Sequence, residues 1–241
     1  SEYSVDAVNG TKERLNYLYD TASNIDTYDA GELKQIDYWL LSVLNRKIMN
    51  ATGSMDRLEL RSAYTAILYN SVLELKRYFE RGGNNGIVLK EFMQDIVLML
   101  QPIAPHVAEE MWHMMGNSTF VSLEKWPAVS ENMINEKVEL QEKLLDNTIE
   151  DVKSMMALLS KTGRKFKAMR IIVASDWKRD VLGRLAKERN LDKVIEYVRG
   201  RSDIDRDKAI KFASQFAKRE EASKSARAQR AMPEKPAIDL E

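Results

Sequence analysis

Leu100-Gln101-Pro102-Ile103-Ala104-Pro105-His106-Val107-Ala108-Glu109-Glu110-Met111-Trp112 governs the reading of the fold, because two prolines stand between two helical patterns. Proline removes a backbone donor and clashes with the turn before it, so a helix running into Pro102 must stop or kink. Pro105 suits the first turn of the next helix, where its missing N–H costs nothing. The stretch predicts a helix from about Ile87 to Gln101, a break, and a second helix from Pro105 to Met115 that halts at Gly116-Asn117.

Upstream of it, Tyr3 to Ser23 carries Val5, Val8, Leu15, Leu18 and Ala22 at mostly three- and four-residue spacings, a helical stripe. A second helix is expected from Glu32 to Ala51, with Ile36, Leu40, Val43, Leu44 and Ile48 on one face. Thr52-Gly53-Ser54 should end it, Gly53 serving as a left-handed cap. The third pattern, Arg57 to Arg81, holds Tyr64, Ile67, Leu68, Val72, Leu75 and Phe79 before Gly82-Gly83-Asn84-Asn85-Gly86 forces a turn. Long helices with short connections predict an antiparallel helical bundle over residues 1–137.

Downstream, Phe120 to Leu123 and Lys125-Trp126-Pro127 read as an extended link. A helix from Asn132 to Leu159 is expected to bridge into a second domain, residues 138–241. That domain should contain a β-branched strand, Met169 to Ala174, and helices at Trp177–Arg189, Asp192–Val198 and Ile204–Arg219. Ala222 to Arg230 is small and basic, and Pro236 to Leu240 is expected to be a closing strand beside Ile171–Ala174. The fold class is mainly α, a helical bundle followed by a small α/β domain.

Composition is that of a soluble globular protein, with 44% hydrophobic and 31% charged residues and no cysteine for disulfide or thiol chemistry. No apolar run reaches the length of a membrane span, and Ser1-Glu2-Tyr3-Ser4 has no signal-peptide character, so a cytoplasmic setting is expected. Starting at Ser1 rather than Met, the chain is compatible with a piece excised from something longer and with a natural separate protein. Its zero net charge hides a split. Thirteen Lys and Arg face nineteen Asp and Glu up to Lys137, whereas from Lys161 onward twenty-two basic residues face thirteen acidic ones. A basic second part points to a polyanionic partner.

The Leu100–Trp112 stretch resembles the L-x-P-[apolar]-x-P-H-x-x-E-E-[apolar]-W signature in the anticodon-binding bundle of class I synthetases for leucine, isoleucine, valine and methionine. Gln35-Ile36-Asp37-Tyr38-Trp39-Leu40-Leu41-Ser42-Val43-Leu44-Asn45 resembles that family's I-D-x-W-[L/M]-L-x-x-L-N helix, with Tyr38 where a basic residue often stands. Val121-Ser122-Leu123-Glu124-Lys125-Trp126-Pro127 is similar to the phrase that closes the bundle. Two further segments, Arg170 to Lys178 and Gln229 to Ile238, resemble archaeal and eukaryotic-type leucyl-tRNA synthetases.

The resemblance implies a tRNA-docking portion of an enzyme that loads leucine in an ATP-dependent reaction on a separate catalytic domain, present in cis or in trans. It implies no catalytic, cofactor or metal-binding residue in this chain, ATP and Mg belonging to the parent enzyme. No H-x-G-H occurs, and Ala222-Ser223-Lys224-Ser225 follows the bundle, whereas the family's K-M-S-K-S loop precedes it. The alternatives are a synthetase-derived bundle acting as a protein-interaction or regulatory module, and the equivalent region of an isoleucyl, valyl or methionyl enzyme.

Candidate sites are weighed by chemistry. Glu110-Met111-Trp112-His113 has the E-x-x-H spacing of di-metal bundles, but such centres need a second motif and more carboxylates, so no metal is expected. Trp39, Trp112, Trp126 and Trp177 sit among aliphatic residues, and Trp39 and Trp112 read as core. Phosphate contact calls for basic groups, Arg above all for its planar fork. The RNA-binding candidates on the bundle are Arg46, Lys47, Arg57 and Arg61; those of the second domain are Arg164, Lys165, Lys167, Lys178 and Arg179, with Lys224, Arg227 and Arg230 in the tail.

Overall fold

The structure is a computed structural model that describes residues 4–161, 169–172, 174–188, 190–222 and 237–240. It divides into two compact units, Ser1–Lys143 and Leu144–Glu241.

In the first unit, α1 (Val5–Ser23) is capped by the Ser4 hydroxyl, which accepts from the Ala7 amide. Then come α2 (Gln35–Asp56), α3 (Leu60–Tyr64), a π-helical stretch Thr65–Asn70, and α4 (Ser71–Glu80). α5 (Gly86–Leu100) starts where the Asn85 side chain accepts from the amides of Ile87 and Val88. α6 (Pro105–Met114) opens on its proline, as expected. One continuous core joins them, including Leu18, Leu40, Leu44, Leu68, Leu75 and Phe92, none with exposed surface. The mainly helical bundle that the periodicities predicted is therefore present.

α2 departs from its expected bounds. It runs past Gly53 to Asp56, because the Thr52 hydroxyl folds back onto the Ile48 carbonyl (2.7 Å) and also receives Trp126 Nε1 (2.8 Å). The left-handed residue is Leu58 instead, at φ 58°. The Leu58 amide donates to the Met55 carbonyl and the Glu59 amide to that of Ser54, at 2.9 and 2.8 Å, so the helix ends in a Schellman motif with leucine where glycine is usual. Gly82 and Gly116, with φ of 77° and 87°, end their helices in the left-handed region at the turns the sequence marks.

α7 (Glu136–Lys161) follows a short 3-10 turn, Glu131–Met133, and passes through the division between the units. Its start is held by an acidic edge. Glu139 accepts from Ser42 Oγ (2.5 Å) and from Arg46 Nε (2.7 Å), and Glu142 accepts from Arg77 and Arg81 at 2.9 Å. The arginines, Arg81 foremost, hold the Glu142 carboxyl below its usual pKa.

The second unit contains α8 (Asp176–Glu188), α9 (Leu191–Arg199) and α10 (Arg206–Ala222), packed on Val181, Leu185, Val194, Val198, Ala209 and Ala213. Trp177 meets Phe212 edge-on at 5.6 Å. β1 (Met169–Ile172) pairs antiparallel with β2 (Ala237–Leu240), Ile171 opposite Ile238. The pairing thus begins at Met169 rather than at Ile171. Of the expected segment Ala222 to Arg230, Ala222 ends α10 and the rest lies outside the described residues.

One side chain in the bundle lacks the compensation its burial calls for. Burial, and secondarily Glu91, push the Asp95 carboxyl from 3.8 up to about 6. An acid whose folded pKa lies above its unfolded value is penalised when ionised. The penalty is complete above that folded pKa and relaxes as pH falls through it toward the unfolded value. With partial solvent screening it amounts to about 1–2 kcal/mol. Asp95→Asn is expected to stabilise the protein by that amount at pH 7.5 and to leave it unaltered at pH 4. Urea unfolding at the two pH values checks this, and equal stability of the two proteins at pH 7.5 would count against it.

Candidate nucleic-acid interface

The signature residues of α6 are consumed in scaffolding. Glu109 takes the Val121 amide at 3.1 Å and meets His113 Nε2 at 3.0 Å, while His113 Nδ1 lies 2.9 Å from the Asn117 carbonyl. Glu110 accepts from the Tyr19 hydroxyl at 2.7 Å, tying α6 to α1. Trp112 is buried, its indole N–H donating to Thr119 Oγ1 at 3.2 Å. Trp39 packs half-buried against the core. Among the described residues no group of three or more His, Cys, Asp or Glu is placed to hold a metal ion.

Asp37, the acid of the second signature, is buried. It accepts from the Lys34 amide (2.6 Å) and from the Tyr78 hydroxyl (2.5 Å), whose oxygen accepts from the Asn85 amide (2.9 Å). Burial first, then the Asp37 hydrogen bond, push the Tyr78 hydroxyl well above its usual pKa, so the proton stays on tyrosine. The closing phrase is anchored by buried Val121 and by Trp126 on Thr52.

The basic candidates on the bundle divide sharply. Lys47 requires correction: its side chain is only 3% exposed, and it forms an ion pair with Glu74 at 2.6 Å. It also donates to Ser71 Oγ (2.7 Å) and to the Ala66 carbonyl (3.0 Å), so no phosphate reaches it. Arg46 is engaged by Glu139 and Glu136, and the Glu139 hydrogen bonds raise its pKa. Arg57 makes two parallel bonds of 3.0 Å to Glu59. Arg61 is exposed.

In the second unit the Lys178 ammonium lies 5.6 Å from the rings of both Trp177 and Phe212. Arg179 is exposed and pairs with Asp176 at 2.6 Å. The Arg184 guanidinium carbon lies over the Tyr197 ring, 3.6 Å from its centre, a contact that the sequence reading missed. Arg164, Lys165, Lys167, Lys224, Arg227 and Arg230 lie outside the described residues.

Comparison with known proteins fits this arrangement. Residues 37–181 match the family model described as the anticodon-binding domain of tRNA ligase. The chain belongs to that family. Within this tRNA ligase family the chain is similar to the leucine–tRNA ligase of Staphylothermus marinus, 34% identical over 189 residues, covering 77% of this chain and 19% of that one. The leucine–tRNA ligase of Methanocaldococcus jannaschii is 37% identical over 175 residues, 71% of this chain and 18% of that one. That of Pyrococcus furiosus is 27% identical over 274 residues, 95% of this chain and 28% of that one. The chain thus spans between about a fifth and a little over a quarter of these relatives' lengths. A crystal structure of the ternary complex of Agrobacterium radiobacter K84 agnB2 LeuRS-tRNA-LeuAMS aligns with TM-score 0.46 and 25% identity, over 54% of this chain and 17% of that one. No helix among the described residues is long and apolar enough to cross a membrane.

Proposed function

We propose that this chain is the tRNA-docking portion of a leucine–tRNA ligase acting in the cytoplasm, with ATP- and Mg-dependent leucylation carried out on a separate catalytic domain. The observation that carries the reading is the match to leucine–tRNA ligases across 77% of the chain, combined with signature residues committed to scaffolding rather than to chemistry. A bundle built in this way positions RNA and leaves bond-making elsewhere. The catalytic domain, in cis or in trans, is its protein partner.

Recognition of the RNA falls to the basic second unit. Leucyl enzymes of this type, by resemblance, read the long variable arm rather than the anticodon. Lys178 and Arg179, with Arg164, Lys165, Lys167, Lys224, Arg227 and Arg230, are the groups proposed to meet it. Such contacts go mostly to phosphate, 2′-hydroxyl and shape.

Titration of the chain with a long-armed leucine tRNA and a short-armed tRNA tests the proposal. Affinity should drop about a thousandfold or more between roughly 50 and 200 mM salt, because bound phosphates release counterions. The long-armed RNA should bind more tightly throughout. Equal affinity for both at moderate salt would remove the recognition role, and no binding to either would remove the docking role.

A further inference from the structure

Of the six arginines between Ser4 and Lys143, four meet a carboxylate: Arg46, Arg57, Arg77 and Arg81. Among the described residues Arg14 and Arg61 do not. Both belong to one strip along α1, α3, the π-helical stretch and α4, where cations alternate with tyrosines. The Arg14 guanidinium lies 4.0 Å from the centre of the Tyr69 ring and donates to the Gly10 carbonyl at 2.5 Å. Tyr69 meets Tyr64 edge-on at 5.5 Å. Their hydroxyls converge on Thr11 Oγ1, at 3.5 Å from Tyr69 and 3.2 Å from Tyr64. Arg61 is exposed on α3, three residues before Tyr64. At the other end the Lys76 ammonium lies 5.3 Å from the Tyr17 ring, and Glu80, which bears on Tyr17, marks the limit of the strip.

We propose that this strip is a contact surface for the sugar–phosphate backbone of RNA, resting on the reading of the chain as a tRNA-docking module. Arg14, Arg61 and Lys76, three cations that meet no acidic partner among the described residues and are spread over about 22 Å of helix, match a run of phosphates rather than a single ion. The Tyr69 ring and the Gly10 carbonyl hold the Arg14 fork in place, so little side-chain freedom is lost when it meets a phosphate. Tyr64 and Tyr69, both half-buried, offer what ring surface they leave open to ribose and to an unstacked base. The π-helical stretch brings Tyr64 and Tyr69, five residues apart, side by side, and such turns occur often at functional sites. Because phosphates carry no sequence, this surface positions RNA without selecting it.

The test is fluorescence anisotropy of the full 241-residue chain on long-armed and short-armed tRNA across a salt series. Arg61→Glu, at an exposed position, should weaken binding by about tenfold. Combining Arg14→Ala, Arg61→Ala and Lys76→Ala should reduce the slope of log affinity against log salt by about 2–3, with the same loss on both RNAs. Thermal melts show whether the triple variant folds; if it does not, Arg61→Glu decides alone. Wild-type binding that neither variant alters overturns the strip and leaves the docking module standing. A wild-type chain that binds neither RNA overturns both.

Discussion

Lys47→Met is expected to lower the unfolding free energy by about 3–5 kcal/mol, because it strands Glu74 in the bundle without a counter-charge. The Lys47–Glu74 pair is sunk beside the π-helical stretch, the lysine side chain 3% exposed and the carboxylate 21%. Burial pushes the Lys47 pKa down and the Glu74 pKa up, and each partner opposes the shift of the other. Lys47 also supplies hydrogen bonds to Ser71 and Ala66, both lost in the variant. Removing both charges avoids the stranded carboxylate. The double variant Lys47→Met, Glu74→Leu should recover to within about 1–2 kcal/mol of wild type. A double-mutant cycle by urea unfolding measures this; a neutral Lys47→Met would show that the ammonium contributes no compensation.

Asp37→Ala should cost about 3 kcal/mol through a different mechanism. Asp37 satisfies two donors at once, the Lys34 amide before α2 and the buried Tyr78 hydroxyl on α4. Tyr78 in turn accepts the Asn85 amide, whose side chain caps α5. One carboxylate therefore joins the starts of α2 and α5 through the end of α4. Gly83 fits the same joint: a Cβ there would run into the Tyr78 ring. Asp37→Asn retains an acceptor and should cost less than half as much. Hydrogen exchange gives a local readout, with faster exchange at Lys34 and Asn85 in the alanine variant. Unchanged protection at both amides would refute the shared joint.

Much of this architecture is legible in the amino-acid sequence. Three- and four-residue spacings locate the helices because one face of each is buried, and Pro102 with Pro105 separates α5 from α6 by removing donors. The expected end at Gly53 failed because a glycine inside a helix is tolerated when its neighbours are bonded, as Thr52 is to Ile48 and Trp126. Leu58 took the left-handed position instead, which no residue preference would suggest.

The interface was harder to read, since charge type says nothing about who already holds the charge. Lys47 lay in a second stripe, Leu40, Leu44, Lys47, Ala51, at spacings of four, three and four, because α2 is covered on more than one side. That spacing was a usable signal. Arg46 gave none, since Glu139 is ninety-three residues distant in sequence. Arg14 and Tyr69 meet only through tertiary packing and share no motif.

Across Thr65–Asn70 the helix carries one more residue per turn than its flanks require. Each α-helical residue advances the face by about 100°, so everything beyond the stretch is rotated by roughly that amount. Deleting a single residue there would do more than shorten the helix. It would act as a frameshift does on codons: Leu75 and Tyr78, fully buried, would be turned from the core, and Tyr64 would lose its partner across the turn.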